Sequence, residues 1–344
     1  MGNRVLITGI TGQLGSYLAE KFLEMNYEVH GIIRKSSSFN TERIDHIFDK
    51  LNLYYGDLTD PLSIDDIVYR VQPNYLINAG AQSQVHVSFS IPMYTSQVDA
   101  LGTLSVLEAV RKHTPKCRVI QMSTSELFGK VQEIPQTETT PMNCQSPYSV
   151  AKLYAYQMTK LYRESYNMFL CNIICFNMES ERRGETFVTR KITLGLARIN
   201  QDIELGKEFE PLRLGNLNAK RDWGYCPNYA DGIIKLLHHH TADDFILATG
   251  ETHSIREFID EAIKYTSLEL VWYGEGKDEY AVDKNSGKKV IVVDAKYYRP
   301  AEVDLLIGDA SKAIDILKWE PSVKFSELVR IMMNHDIAKK RIVI

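Results

Sequence analysis

Between residues 5 and 176, short apolar runs alternate with amphipathic helical stretches, and this alternation restricts the fold more than any other feature. Val5–Thr8, Glu28–Arg34, Leu51–Tyr55, Tyr75–Ala79, Arg118–Met122 and Phe169–Phe176 have the length and composition of strands. Tyr17–Met25, Leu101–Lys112 and Tyr148–Tyr166 read as helices; in the last, apolar or aromatic residues recur every three or four positions. Such alternation predicts an α/β fold, a doubly wound parallel sheet with helices on both faces.

The regularity fades after Asn177. Charged and turn-rich stretches run through Arg221, followed by a helix (Tyr229–His239), a strand (Asp244–Ala248) and a helix (Ile255–Thr266). Trp272–Lys289 is polar, contains glycine, shows no clean period and reads as an exposed excursion. Two more helices are expected near Ser311–Leu317 and Ser326–Lys339. With no internal repeat and no low-complexity linker, the second lobe is expected to be small and interleaved with the first. The division is 1–177, with returning segments near 226–250 and 305–312, against 178–225 and 251–344.

At 344 residues the chain can bury a large core, and 44% hydrophobic with 24% charged residues is ordinary for a soluble globular protein. A net charge of −4 gives no basic excess for nucleic acid or an anionic membrane. No apolar run reaches the ~18 residues of a membrane span. Five cysteines without paired spacing suit a reducing compartment, and no signal peptide is read, so a cytoplasmic location is expected. His238, His239 and His240 end a helix without neighbouring ligands, and no metal is expected.

Gly9-Ile-Thr11-Gly12-Gln13-Leu14-Gly15 lies between the first strand and the first helix. Glycines there permit a tight turn and let backbone N–H groups approach a pyrophosphate, with the helix N-terminus adding a favourable dipole. This placement predicts dinucleotide binding by a Rossmann-type sheet. The second strand ends in Arg34-Lys35-Ser36-Ser37, not in the acidic residue that holds a ribose 2′-hydroxyl. Cations and hydroxyls suit a 2′-phosphate, so NADP is expected, the alternative being a solvated basic turn. Asp57, after the third strand, is placed either to reach the adenine or to cap a turn.

Ser123-Thr124-Ser125-Glu126 closes the fifth strand, and Tyr148-Ser-Val-Ala-Lys152 opens a helix just after Pro147. Tyr-x-x-x-Lys puts both side chains on one helical face, where the ammonium can stabilise a phenolate. The spacing recurs at Tyr156/Lys160, Tyr273/Lys277 and Tyr280/Lys284, so context selects the pair. Thr124, Tyr148 and Lys152 suit hydride chemistry at an alcohol. Glu126 adds a carboxylate that plain alcohol oxidation does not need and that suits elimination of water. The plain alternative for the Ser/Thr/Glu cluster is a turn or helix cap.

These motifs make the chain similar to the extended short-chain dehydrogenase/reductases and, within them, to the GDP-mannose 4,6-dehydratase family. Gly-Ile-Thr-Gly-Gln (9–13), Ser-Ser-Phe-Asn-Thr-Glu-Arg (37–43), Tyr-Gly-Asp-Leu (55–58) and Ser-Thr-Ser-Glu-Leu (123–127) resemble that family. So do Arg-Arg-Gly-Glu-Thr-Phe-Val-Thr-Arg-Lys (182–191), Leu-Gly-Asn-Leu (214–217), Lys-Arg-Asp-Trp-Gly (220–224) and Arg-Pro-Ala-Glu-Val (299–303), which dTDP-sugar dehydratases do not share. The resemblance implies conversion of GDP-D-mannose to GDP-4-dehydro-6-deoxy-D-mannose with an NADP-mediated hydride shift from C4 to C6. Thr124, Glu126, Tyr148 and Lys152 would be catalytic. The glycine-rich turn, Arg34 to Ser37, Asp57, Leu58, Ala79, Gly80, Ala81, Gln82, Ser83, Tyr94, Met178 and Arg183 would join Tyr148 and Lys152 around NADP. Ser83, Thr124, Ser125, Glu126, Asn177, Val188, Lys191, Gly215, Arg221, Arg299 and Glu302 would meet the GDP-sugar, mostly from the second lobe. A loop at 34–43 would reach a neighbouring subunit, implying a homotetramer or homodimer.

Alternatives that keep the site are a dehydratase that also reduces its product to GDP-D-rhamnose, or one that prefers a GDP-heptose. An NADP-binding protein without catalysis is the non-enzyme alternative. The chain departs from the family pattern at Leu14 (usually Asp), Met178 (His) and Glu181 (Pro). These departures lead to the expectation of altered cofactor holding with the catalytic groups intact.

Overall fold

β1 (Arg4–Thr8) is buried from Val5 onward, and the chain builds its main sheet outward from it in both directions. The computed structural model describes residues 2–298 and 305–341, so Arg299 and Glu302 lie outside the described residues. The strands after β1 are β2 (Glu28–Ile33), β3 (Asn52–Tyr55), β4 (Tyr75–Asn78), β5 (Arg118–Thr124), β6 (Leu170–Cys175), β7 (Asn177–Glu179) and β8 (Leu212–Leu214). They continue as β9 (Lys220–Arg221), β10 (Trp223–Tyr225), β11 (Phe245–Leu247), β12 (His253–Ser254), β13 (Leu270–Tyr273), β14 (Tyr280–Asp283) and β15 (Lys289–Val293). The helices are α1 (Gln13–Glu24), α2 (Pro61–Val71), α3 (Val85–Ser88), α4 (Pro92–Ser96), α5 (Gly102–His113) and α6 (Pro147–Tyr166). After them come α7 (Val188–Glu204), α8 (Cys226–Leu237), α9 (Ile255–Ala262), α10 (Ser311–Leu317) and α11 (Phe325–Arg341).

The seven-stranded sheet has the order β11-β6-β5-β4-β1-β2-β3, and every neighbouring pair is parallel. The chain first winds from β1 toward β3, then restarts at β4 on the other side of β1. The crevice at that reversal, beyond the C-terminal strand ends, is where open α/β sheets take ligands. Alternate residues of the strands feed two apolar layers. Val5, Ile7, Ile77 and Ile120 face one, with α1 and α8; Leu6, Leu76 and Val119 face the other, with α2 and α5. The predicted α/β class and doubly wound sheet are both present.

Helix α6 begins where the sequence reading places it because its first turn is prepared locally. Ser146 accepts from the Ser149 N–H at 3.1 Å and Ser149 Oγ accepts from the Ser146 N–H at 3.0 Å, a reciprocal cap, with Pro147 at the first helical position. Asn167 ends the helix in the left-handed region at φ 51°.

A third apolar cluster contains Ile192, Leu196, Trp223, Phe258, Val290, Ile291, Leu328 and Met332. It lies among α7, α9, α11 and a four-stranded sheet of order β13-β14-β15-β8. Two expectations are corrected here. Residues 188–204 are not turn-rich but form α7, whose stripe Val188, Ile192, Leu196, Ile199 and Ile203 is interrupted in sequence by threonines and by Arg190, Lys191 and Arg198. Trp272–Lys289 is exposed at 273–278 and 284–287, as read, but it is not irregular: with Ala281 fully buried, it supplies β14 and parts of β13 and β15. Their alternation spans only four or five residues, too short to stand out between the glycine turns. Helix α2 and the short helices α3 and α4 have no counterpart in the sequence reading. Among the described residues no helix is long and apolar enough to cross a membrane.

Asp222, between β9 and β10, ties them to the backbone at 249–250 and 308. Its fully buried carboxylate accepts from Thr249 N (2.9 Å), Thr249 Oγ1 (2.7 Å), Gly250 N (3.0 Å) and Gly308 N (3.4 Å). Removing it leaves the buried Gly308 N–H and the half-buried Thr249 donors without this acceptor. Asp222→Ala should lower unfolding stability by about 3 kcal/mol, read as a shift of the guanidinium midpoint.

Candidate active site

A cleft of about 460 Å³ opens at the C-terminal ends of β5 and β6, between the main sheet and the second lobe. That volume accommodates a ligand of drug or nucleotide size. Of the expected site residues, Ser83, Thr124, Ser125, Glu126, Tyr148, Asn177, Met178, Arg183, Val188, Lys191, Gly215 and Arg221 all line it. They come from six separate stretches of sequence (83, 124–126, 148, 177–191, 215 and 221), brought together by the sheet end and by β7, α7, β9 and the loop after β8.

Strand β5 runs to Thr124 and tightens at once into a helical turn at Ser125–Leu127. Thr124 Oγ1 accepts from the Glu126 N–H at 3.2 Å, so the capping alternative is real and coexists with exposure to the cleft. Tyr148 and Lys152 follow one turn apart on α6, the phenol on the cleft and the ammonium behind it. Lys152 Nζ donates to the Met122 carbonyl at 2.7 Å. Burial pushes the Tyr148 phenol above its ordinary pKa and the Asp99 carboxyl adds to this, while Thr124 and the Arg183 cation work the other way. Burial lowers the Lys152 pKa, and Asp99 opposes that change. Asp99, itself raised to about 6 by burial, accepts from Gln82 N at 2.8 Å. A polar chain runs beneath the site. Gly80 N donates to Thr8 Oγ1 (2.9 Å), Thr8 Oγ1 to Asn78 Oδ1 (2.7 Å), Asn78 Nδ2 to Gln121 Oε1 (2.7 Å) and Gln121 Nε2 to the Met122 carbonyl (2.9 Å). Tyr156, by contrast, is core, with Lys160 above its ring at 5.8 Å.

The glycine-rich turn is tight. Gly9 has φ +68°, and a Cβ at Gly15 would stand 2.3 Å from the Gly9 carbonyl oxygen. Gly12 caps α1 without any side-chain acceptor, leaving the first-turn N–H groups and the positive helix end to an anion. This arrangement fits a dinucleotide pyrophosphate. The Leu14 side chain is buried in the core, so only its backbone can meet a ligand. Gln13 is engaged at both ends, donating to the Met178 carbonyl (3.0 Å) and accepting from Ser180 Oγ (2.7 Å). Tyr17 donates to Glu181 Oε1 at 2.7 Å, and Arg182 meets Ser16 and Glu20 at 3.1 and 2.7 Å. Position 181, a departure from the family pattern, is thus a fastening point for α1. Thr11 contributes its carbonyl to Arg43 at 3.5 Å.

At the edge of β2, Arg34 donates to the Tyr94 hydroxyl at 2.9 Å, Lys35 lies 5.2 Å over Tyr55, and Ser36 and Ser37 are exposed. Asp57 takes the capping option, accepting from Thr59 N (2.9 Å) and Thr59 Oγ1 (2.8 Å). Leu58 is buried, while Ala79, Ala81 and Gln82 are less so. Sequence reasoning missed Gln84, His86, Thr186, Phe187, Asn216 and Tyr297, all on the cleft wall. Tyr297 holds Lys191 3.6 Å above its ring while Lys191 Nζ donates to the Arg213 carbonyl at 2.6 Å. No spacing rule links positions 106 residues apart.

A family model described as GDP-mannose 4,6 dehydratase matches residues 6–332. The chain is 49% identical to the GDP-mannose 4,6 dehydratase of Drosophila melanogaster, over 98% of this chain and 86% of that protein. It is 49% identical to the human protein of the same name, over 98% of this chain and 92% of the relative. Among solved structures, a Thermus thermophilus UDP-glucose 4-epimerase complex with NAD superposes with TM-score 0.79 at 21% identity, covering 97% of this chain and 98% of that one. That last likeness concerns the fold alone.

The atoms facing Gly15 are backbone, which cannot swing aside. Gly15→Ala should destabilise the protein by roughly 2 kcal/mol and weaken dinucleotide binding about tenfold or more, checked by thermal unfolding and by titration with NADP⁺ and NAD⁺.

Proposed function

The chain belongs to the GDP-mannose 4,6-dehydratase family, and we propose that it converts GDP-D-mannose to GDP-4-dehydro-6-deoxy-D-mannose and water. The observation that carries this reading is the Glu126 carboxylate, buried on the same cleft wall as the Tyr148 phenol and the Thr124 hydroxyl. A site for alcohol oxidation alone needs the phenol, hydroxyl and ammonium. The carboxylate supplies the extra proton transfer that elimination requires.

Tyr148, as phenolate, takes the proton of the sugar C4 hydroxyl, with Thr124 bridging phenol and alcohol. Lys152 stabilises the phenolate from behind, while the Met122 carbonyl fixes the ammonium. The C4 ketone acidifies the C5–H bond. Glu126 removes that proton and delivers one to the departing C6 hydroxyl, which leaves as water. A nicotinamide dinucleotide would supply the hydride acceptor for C4 and the donor for C6; the proton that Tyr148 took is given back at C5, so the overall reaction consumes no oxidant. The residues that would hold it are the Gly9–Gly15 turn, the segment Ala79–Ser83, Tyr148, Lys152 and Arg183.

The 2′-phosphorylated form is the expected cofactor, on the strength of Arg34, Lys35, Ser36 and Ser37 at the edge of β2 and the absence of an acidic residue there. The sugar nucleotide would lie along Asn177, Val188, Lys191, Gly215 and Arg221, with Arg299 and Glu302 completing the pocket by family resemblance. The division of labour is correspondingly a dinucleotide-binding unit over 1–177 and a GDP-sugar lobe over 178–225 and 251–344. The 34–43 loop, with Phe39 fully exposed, suits contact with a second copy in a dimer or tetramer. A cytoplasmic location accords with the free cysteines.

Glu126→Gln should bind GDP-mannose normally yet lose dehydration by about 10³-fold, followed through the alkaline absorbance of the keto sugar. Normal dehydration in that variant would refute the assignment. Burial raises the phenol's pKa, so kcat/KM should climb with pH as Tyr148 ionises. Lys152→Met removes the neighbouring cation, which should move that limb to higher pH and lower kcat/KM near neutrality about 10²-fold.

A further inference from the structure

One buried carboxylate on the cleft wall has no part in the chemistry above. Glu179 ends β7, paired in register with Tyr225 of β10, and is 2% exposed. Its carboxylate accepts from Thr189 Oγ1 on the first turn of α7, and Oε2 lies 3.2 Å from Arg183 Nε. The Arg183 contact is an ion pair off the line of a hydrogen bond. The opposite constraint on Arg183 comes from Phe187, whose ring lies 3.7 Å beneath the guanidinium. Glu179, Arg183 and Phe187 all line the cleft.

We propose that Glu179 is a positioning residue, whose buried charge and the Phe187 face together lock the Arg183 guanidinium so that its outer fork meets a pyrophosphate. The proposal rests on the reading of Arg183 as a nucleotide contact. A guanidinium carries five donors in a rigid plane, and its two terminal nitrogens present the bidentate edge that phosphate oxygens fit. Glu179 engages the Nε edge and Phe187 one face, which leaves that fork as the edge for a ligand. Burying an ion pair is a poor way to gain stability, since desolvation of both charges offsets most of their attraction. Its use at this wall is explained by the orientation it imposes. Arg183 also stands near enough to Tyr148 for its charge to favour the phenolate, so a displaced guanidinium would disturb both binding and the phenol. Glu179 is unsuited to proton transfer with substrate, because Thr189 and Arg183 already engage its carboxylate. A pyrophosphate reaches this cleft from two sources, the dinucleotide and the sugar nucleotide. The segment 178–183 is fastened to the glycine-rich turn through Gln13, and its other flank runs into α7 toward Lys191.

The test titrates the full-length protein separately with NADP⁺ and with GDP by calorimetry. Glu179→Gln should bind one of the two about tenfold more weakly, and Arg183→Ala should weaken the same one. The double variant should be no weaker than Arg183→Ala alone, since the carboxylate acts only through the arginine. With both ligands saturating, Glu179→Gln should raise KM and move the rising pH limb of kcat to higher pH, a signature that general loss of structure would not produce. Thr189→Val leaves the charge but frees the carboxylate, and should give a smaller loss in the same direction, which keeps the test open if the Gln variant unfolds. Whichever ligand is affected identifies the source of the pyrophosphate. Unchanged affinity for both ligands in folded Glu179 and Thr189 variants, or additive losses in the double variant, would overturn the proposal while leaving Arg183 as a contact. Undiminished binding by Arg183→Ala would overturn both.

Discussion

A buried ammonium at the end of β5 is the constraint around which the rest of the structure is arranged. Lys152 is 4% exposed, and an unpaired cation at such a place costs several kcal/mol. The fold answers with a strand carbonyl at 2.7 Å and with the buried Asp99 carboxyl nearby. Each answer recruits another element. The Met122 carbonyl also accepts from Gln121, whose oxygen takes Asn78, which in turn takes Thr8. Asp99 is held by the Gln82 N–H. The ammonium therefore ties β5, β4, β1 and the 80–82 segment into one hydrogen-bonded floor, and the phenol stands one helical turn away on the open side.

The opposing wall is organised by the segment 178–183. Met178 and Ser180 grip Gln13, Glu181 grips Tyr17, and Arg182 grips Ser16 and Glu20. Glu179 and Arg183 face the cleft between those contacts. One short segment thus couples the glycine-rich turn to the lobe that begins at α7.

Much of this was legible in the residues. The start of α6 is marked by Pro147, and the i, i+4 spacing of Tyr148 and Lys152 places them on one helical face. The alternation of the first half carried the sheet. The glycine turn carried the helix end beside it, although α1 starts at Gln13, four residues before the apolar period becomes visible. Legibility failed where the signal was short or mixed. Strands of four residues, such as β13 and β14, show barely two periods of alternation. Helix α7 hides its stripe among cations that turn out to serve a second purpose: Arg190 is itself buried against Asp336 at 2.7 Å, and Lys191 lies on the cleft.

Local events follow from the order of residues alone: the seven strands of the main sheet, the start of α6, where the turn must be glycine, and which hydroxyl, carboxylate, phenol and ammonium stand ready. Backbone sterics, hydrophobic period and capping dictate them, and all three act over a few residues. Other outcomes waited for the packed fold. It is there that Gln13 meets Met178 and Ser180, that Leu14 joins the core, that Tyr297 carries Lys191, and that Asp222 takes Thr249 and Gly308. Those outcomes depend on burial and on partners distant in the chain, which no local pattern of residues can specify.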